Sequence, residues 1–143
     1  MVVGKRSGGV GILYSVIEVL FLAIVLWGWG MFRNESDVRV LLLGLVFLGV
    51  TGVILFRYFT TPAEAIILNE DNSIYLAKFD LTLSMEEIRH ISYKRARAKG
   101  IEYKWGKVII ETDSKKYKTD YLSYCEEVAD TLNTALMEYR VRR

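Results

Sequence analysis

The chain has 143 residues, 52% of them hydrophobic and 25% charged, with a single proline, a mixture that excludes a disordered or collagen-like protein. A formal net charge of +2 is too small to mark a polyanion-binding protein, and one Cys with one His cannot build a structural zinc site or a disulfide framework. The average conceals two unlike halves: residues 1–59 hold only 8 of the 36 Asp, Glu, Lys and Arg residues, and the remainder of the chain has ordinary soluble composition, enough for one compact domain.

Residues 1–9 read as an N-terminal tail carrying Lys5 and Arg6. Val10 to Phe32 then forms a run of 23 residues with one formal charge, long enough to cross a hydrocarbon core of about 30 Å as a helix. It is too long for the apolar core of a secretory signal, and no small-residue cleavage site follows, so it reads as an anchor. A second span is expected over 38–59, with Arg39 and Arg57 near its ends. The connection Arg33–Asp37 is so short that the two helices must be antiparallel neighbours with both chain ends on one side. The tail is basic without acids, whereas Arg33 and Arg39 flank Glu35 and Asp37. The positive-inside bias therefore places both termini in the cytoplasm of a multi-pass cell-membrane protein.

Glu18 breaks the apolar pattern, since an ionisable group inside a span must be neutralised, paired or hydrated. Tyr14 and Ser15, one turn earlier, can hold it, and a proton or ion site or a contact to another subunit is the functional alternative. Gly44, Thr51 and Gly52 form a strip of small residues on the second span, where helix backbones approach closely. Counted outward from the loop, Glu18 and Gly52 fall at similar depth. A hydrogen bond between Glu18 and Thr51 is within reach, although glycine is common in membrane helices for unspecific reasons, and Glu18, Thr51 and Gly52 are the candidate intramembrane contact.

Pro62 marks the boundary of a small domain over 60–143. Glu64–Asn69 and Ser73–Phe79 read as a β-hairpin around Glu70, Asp71 and Asn72. Leu81–Ile88 reads as a short strand and a helical turn. A strand resumes from Arg89 and ends at Gly100. Ile101–Trp105, a turn at Gly106, Lys107–Asp113 and Lys115–Leu122 complete a meander of six or seven short strands. At the C-terminus, Cys125, Val128, Ala129, Leu132, Ala135, Leu136 and Tyr139 recur at helical spacing, and Ser123 with Glu126 fits a capping box that starts the helix near Tyr124. Its apolar stripe must be buried against the sheet, as a plug in a strongly bent sheet or barrel. The segment from Pro62 onward is expected to fold by itself.

This order of elements, with AIILNEDNSIYL as a first hairpin, LSMEEIRHISY leading to the third strand, WGKVIIETDSKKYKTDYL as a later hairpin and EEVADTLNTALMEY as the terminal helix, resembles the bacterial pleckstrin-homology-like (PH-like) domains that follow a pair of membrane helices. The expected fold is thus a membrane α-helical hairpin followed by a small α+β domain, a PH-like bent antiparallel sheet or barrel with a C-terminal amphipathic helix. The resemblance implies a scaffold for binding proteins or lipids.

The main candidate surface is basic: Arg89, His90, Lys94, Arg95, Arg97, Lys99, Lys104 and Lys107 fall in one stretch against Glu102 alone. Arg95, Arg97, Lys99 and Lys104 are the candidate lipid or partner contacts. Alternation divides the set, with Arg95 and Arg97 on the face of Ile91 and Tyr93 and Lys94 on the other. A solvated edge hairpin is the structural alternative. Tyr93, Tyr103 and Trp105 lie among these cations, but the domain balances 14 basic with 14 acidic residues, so nucleic acid is not expected as a partner. His90 has no adjacent nucleophile, Cys125 sits on the apolar stripe, and no phosphate loop is present; no catalytic, metal or cofactor site is expected. The sequence therefore points to a non-catalytic binding or scaffolding module, an accessory subunit of a membrane complex whose partners are membrane lipids and either other membrane subunits or a second copy. A peripheral sensor of anionic headgroups using the basic 89–107 segment, and an ion-coupled component centred on Glu18, are the rival readings.

Overall fold

The computed structural model describes residues 1–31 and 35–142. Its elements are β1 (Val2–Lys5), α1 (Gly8–Met31), α2 (Glu35–Thr60), β2 (Glu64–Leu68), β3 (Ser73–Leu76), β4 (Leu81–Ser84), β5 (Ile88–Ala98), β6 (Ile101–Thr112), β7 (Lys116–Leu122) and α3 (Cys125–Val141). A 3₁₀ turn over Met85–Glu87 joins β4 to β5, and the Ser84 side chain accepts the Glu86 amide to start it. The chain divides into two compact units, Gly8–Thr60 and a second built from Met1–Ser7 together with Thr61–Arg143.

The first unit is a hairpin of two long apolar helices in contact. Its apolar stretches, Gly8–Gly30 and Val38–Thr60, are 17% and 6% buried, so neither is the core helix of a soluble fold, and their exposed apolar surface suits insertion into a membrane. The expected connection at Arg33–Asp37 is shorter in helical terms, because α2 already begins at Glu35. Glu-Ser-Asp is favourable composition for a helix start. Phe32, Arg33 and Asn34 lie outside the described residues.

In the second unit β1 to β4 form one antiparallel sheet in the order β1-β2-β3-β4, and β5 to β7 form another in the order β5-β6-β7. The strand β1 lies in the segment read from sequence as a tail. It pairs antiparallel with β2 through Val2–Ile67, Gly4–Ile66 and Lys5–Glu64. Gly4 permits this approach, since a Cβ there would meet the Ile66 Cβ at 3.0 Å. The hairpin is thus inserted between the first and second strands of the domain. The expected bent sheet or barrel is two antiparallel sheets with no closed barrel: among the described residues the corner between β1 and β7 is joined by one isolated bridge, Arg6 to Leu122, rather than a ladder.

The core lies between the sheets and α3. Ile66, Ile74, Leu76, Met85, Ile88, Ile91, Val108, Ile110 and Leu122 meet Cys125, Val128, Ala129, Leu132 and Leu136 of the helix, and Leu132 is fully buried. Burial of this stripe drives the helix onto the sheet, at about 25 cal/mol per Å² of apolar surface removed from water. The capping box does not form. Tyr124 is the N-cap, in a left-handed conformation (φ 49°) without a side-chain cap, because the Ser123 amide is engaged by Lys5 O at 2.9 Å and Glu126 is drawn to β5.

Gly106 is not a turn either, since β6 runs unbroken through it. It is the point where the backbone of β5 approaches most closely: a Cβ would lie 2.2 Å from Lys94 O and 2.9 Å from Cys125 Sγ. The tight turn is at Lys99-Gly100, where both residues have positive φ (48° and 81°), the geometry of a two-residue hairpin turn whose twist matches its strands.

Candidate functional site

The four cations singled out by the sequence lie on the β5-β6 hairpin, and two of them are neutralised within the domain. Arg95 points to the side of β5 that faces α3, where its guanidinium pairs with Glu126 and lies 3.5 Å from Glu102. The Tyr93 hydroxyl donates to the same Glu126 at 2.6 Å. Arg97 pairs with Glu102. Exposed pairs of this kind contribute about 0–1 kcal/mol each, so they consume the positive field more than they stabilise the fold. Lys104 stands over the Tyr124 ring at 5.6 Å, and Lys99 occupies the exposed turn. A shallow groove of about 110 Å³ is lined by Arg95, Lys104, Tyr124, Glu126 and Glu127, a mixed rather than cationic lining.

In the helical unit, Glu18 and Thr51 come together: the Thr51 hydroxyl donates to the Glu18 carboxylate and also lies 2.9 Å from Phe47 O of its own helix. A Cβ on Gly52 would lie 3.5 Å from Glu18 Oε1. The contact belongs to an evenly stepped seam. Val25 fills the space over Gly44, Phe21 stacks on Phe47 with ring centroids 5.4 Å apart, and the Tyr58 ring lies on Gly11, where a Cβ would sit 2.5 Å from it. These spacings of three, four and seven residues are those of antiparallel helices packed side by side, and Glu18 with Thr51 is their polar step.

The side chains with chemical potential elsewhere are accounted for structurally. The Cys125 thiol is buried in the core, and burial pushes its pKa above the usual 9.0. His90 is opposite Glu111 on the β5-β6 ladder. The Glu111 carboxylate is held below its ordinary range first by the hydrogen bond from Lys116, at 2.7 Å, with desolvation opposing and the charges of Lys116 and His90 assisting. Glu86, near His90 in sequence, accepts instead from the Tyr139 hydroxyl at 2.8 Å. Among the described residues no group of three or more His, Cys, Asp or Glu could hold a metal ion.

The edges of the second sheet are closed by side chains. Asn133 of α3 donates to Ile91 O at 3.2 Å, and Arg140 donates to Ile88 O at 2.9 Å and to Arg89 O at 3.2 Å, along the outer edge of β5. Across the sheet, Lys78 reaches Lys118 O and pairs with Asp120 at 3.2 Å on β7. Such devices guard an edge against adventitious strand addition.

The outer face of this sheet carries a feature that sequence reading separated only in part. Lys94 and Lys107 are directly opposite each other on β5 and β6. Both point away from the core, because Val108 beside Lys107 is buried and Tyr93 and Arg95 beside Lys94 turn to α3. Trp105, two residues from Lys107, stacks on Tyr121 of β7 at 6.3 Å between ring centroids. The opposition was hidden because it depends on register, which a pattern of alternating residues does not specify.

Comparison with protein-family models, with curated proteins and with solved structures finds no match to the chain. What defines its class is therefore the architecture itself: two apolar helices long enough to span a membrane, two antiparallel sheets and a C-terminal helix.

Proposed function

We propose that the chain is a membrane-anchored, non-catalytic binding or scaffolding module, an accessory subunit of a membrane protein complex. The observation that carries this reading is the largely uncovered apolar hairpin joined to a small domain whose three-stranded sheet has its edges closed by Asn133, Arg140 and Lys78, leaving the side-chain face of that sheet as what it offers to a partner. Anchoring raises the effective concentration of any partner in the same bilayer, so modest surfaces suffice. The four-stranded and three-stranded sheets with a terminal helix packed between them support the likeness to PH-like domains. Lys5 and Arg6 before α1 support a cytoplasmic location for the domain and both termini.

Pairing of Arg95 and Arg97 with Glu102 and Glu126 weighs against a lipid sensor built on those two cations. Holding of Glu18 by Thr51 favours a seam contact over an ion-coupled site. The test is purification of the full chain from its native membrane in mild detergent, with identification of stoichiometric companions. A defined membrane protein recovered with it is the expected result; a homogeneous chain without companions would refute the accessory-subunit reading.

A further inference from the structure

We infer that the outer face of the β5-β6-β7 sheet, through Trp105 and Tyr121 with Lys94 and Lys107, docks on the anionic headgroups of the bilayer that the hairpin spans. This rests on the reading of α1 and α2 as membrane spans, and from the basic 89–107 stretch it selects Lys94 and Lys107 rather than the paired Arg95 and Arg97.

Two independent observations carry the inference. The first is position. The Ser7 amide donates to Tyr121 O at 2.7 Å, and Arg6 bridges to Leu122. Ser7 is the residue directly before α1, whose apolar stretch begins at Gly8. Tyr121 is therefore bonded to backbone that is one residue along the chain from the start of a span, and aromatic rings favour the membrane–water interface. Arg6 also donates to Thr61 O at 2.8 Å, so the residue that follows α2 lies at this same end of the domain. Tyr103, Trp105 and Tyr121 form a continuous stack there, with successive centroids 6.0 and 6.3 Å apart.

The second observation is charge. Like charges directly opposite across an antiparallel pair repel, and Lys94 and Lys107 hold that arrangement with no ion pair to either among the described residues. The acids of this face are already engaged: Glu111 pairs with Lys116 and Asp120 with Lys78. Lys118, next along β7 and opposite Ile109, adds a third cation. An anionic surface relieves the repulsion between the two opposed lysines, and aromatic rings beside lysines match the layered chemistry of a headgroup region, with rings at the carbonyl level and ammonium groups on phosphates.

The experiment uses the full chain with Trp27→Phe and Trp29→Phe, which leaves Trp105 as the sole tryptophan. It is reconstituted in vesicles of phosphatidylcholine alone or with about a third phosphatidylglycerol, each doped with a lipid bearing a nitroxide on its headgroup. Quenching of Trp105 should be roughly doubled by phosphatidylglycerol and should fall back in high salt. Lys94→Gln with Lys107→Gln should lower it to the phosphatidylcholine level, and far-UV dichroism of that pair checks the fold. Trp105 indifferent to the nitroxide in both vesicles, or quenched equally in the paired variant, overturns the proposal. Trp105 shielded from aqueous acrylamide yet untouched by lipid would assign the face to a protein and overturn it equally. Insertion is read separately in a Trp105→Phe chain, where Trp27 and Trp29 report quenching by acyl-chain nitroxides. Loss of that signal would strike at the span reading itself.

Discussion

Gly106→Ala tests the tightest backbone approach in the domain. An added Cβ would lie 2.2 Å from Lys94 O, 2.9 Å from the Arg95 Cα and 2.9 Å from Cys125 Sγ, so it collides with the backbone of β5 on one side and the first residue of α3 on the other. The two β5 atoms are backbone, and the Cys125 thiol is buried in the core. Relief requires the β5-β6 ladder to part at the Arg95–Gly106 pair or the N-terminal turn of α3 to lift from the core. Overpacking of a well-filled interior costs about 1–3 kcal/mol, and a clash with backbone belongs at or beyond the upper end, so a loss of about 3 kcal/mol or more is expected. Gly100→Asn is the control. Gly100 has φ 81° and open space around its Cβ position, and asparagine is the side chain that best tolerates that conformation, so a change of about 1 kcal/mol is expected there. Pulse proteolysis of the full chain across a urea series in mild detergent reads both variants. If Gly106→Ala matches the parent while Gly100→Asn fails, the close-approach assignment is wrong and Gly106 serves as a turn residue after all.

Leu132→Asp places a carboxylate at a fully buried position of α3 and should cost about 4 kcal/mol or more, abolishing the cooperative urea transition of the domain; a cooperative melt would refute the helix-on-sheet core. A cysteine at Ser36 should react with an impermeant thiol reagent in intact cells and one at Ser114 should not, the reverse pattern placing the domain outside. Because burial holds the Cys125 thiol above its usual 9.0, the unfolded chain ionises first as pH rises; the stability of the parent should fall relative to Cys125→Ala above about pH 9 and run parallel to it below, and parallel curves throughout would contradict the buried thiol. Glu18→Gln should preserve insertion and any copurifying subunit, since the amide still accepts from Thr51, whereas release of that subunit would assign Glu18 to an intersubunit contact.

Local signals carried the elements that are locally determined. The apolar runs of α1 and α2 need only length, and the stripe of α3 needs only its period, so both were legible. The 3₁₀ turn after β4 was likewise anticipated from LTLSMEEI. What escaped depends on partners distant in the chain. Val2–Lys5 offers four residues whose strand partner lies about 60 positions later, beyond both helices, and nothing adjacent distinguishes it from a basic tail. Gly106 has the composition of a turn and a tertiary reason for being glycine. Ser123 and Glu126 have the spacing of a capping box, but β1 takes the Ser123 amide, and Tyr93 and Arg95 take the Glu126 carboxylate. Among the candidate contacts, the depth of Glu18 relative to Gly52 followed from counting residues outward from the loop, because an antiparallel hairpin fixes depth by number alone. Pairing of Arg95 with Glu126 of α3 did not follow, since the two lie about 30 residues apart in the chain.

The strand β1 changes what the hairpin means for the domain. With Met1–Ser7 and Thr61–Arg143 in one compact unit, the residues before α1 and after α2 are held together by the β1-β2 ladder and by the Arg6 bond to Thr61 O. A hairpin with both ends on the same side is then required by the fold of the domain as well as by the shortness of its own connection. The same arrangement makes completion of the sheet depend on a segment synthesised before either helix, so β2 keeps an open edge until β1 returns to it. Until then that edge presents its backbone donors and acceptors unpaired. A fragment beginning at Pro62 would expose it, along with the surface of Ile66 and Leu122 that Gly4 covers. The compact unit accordingly comprises Met1–Ser7 as well as Thr61–Arg143, so the boundary that the composition suggests at Pro62 leaves out one of its strands.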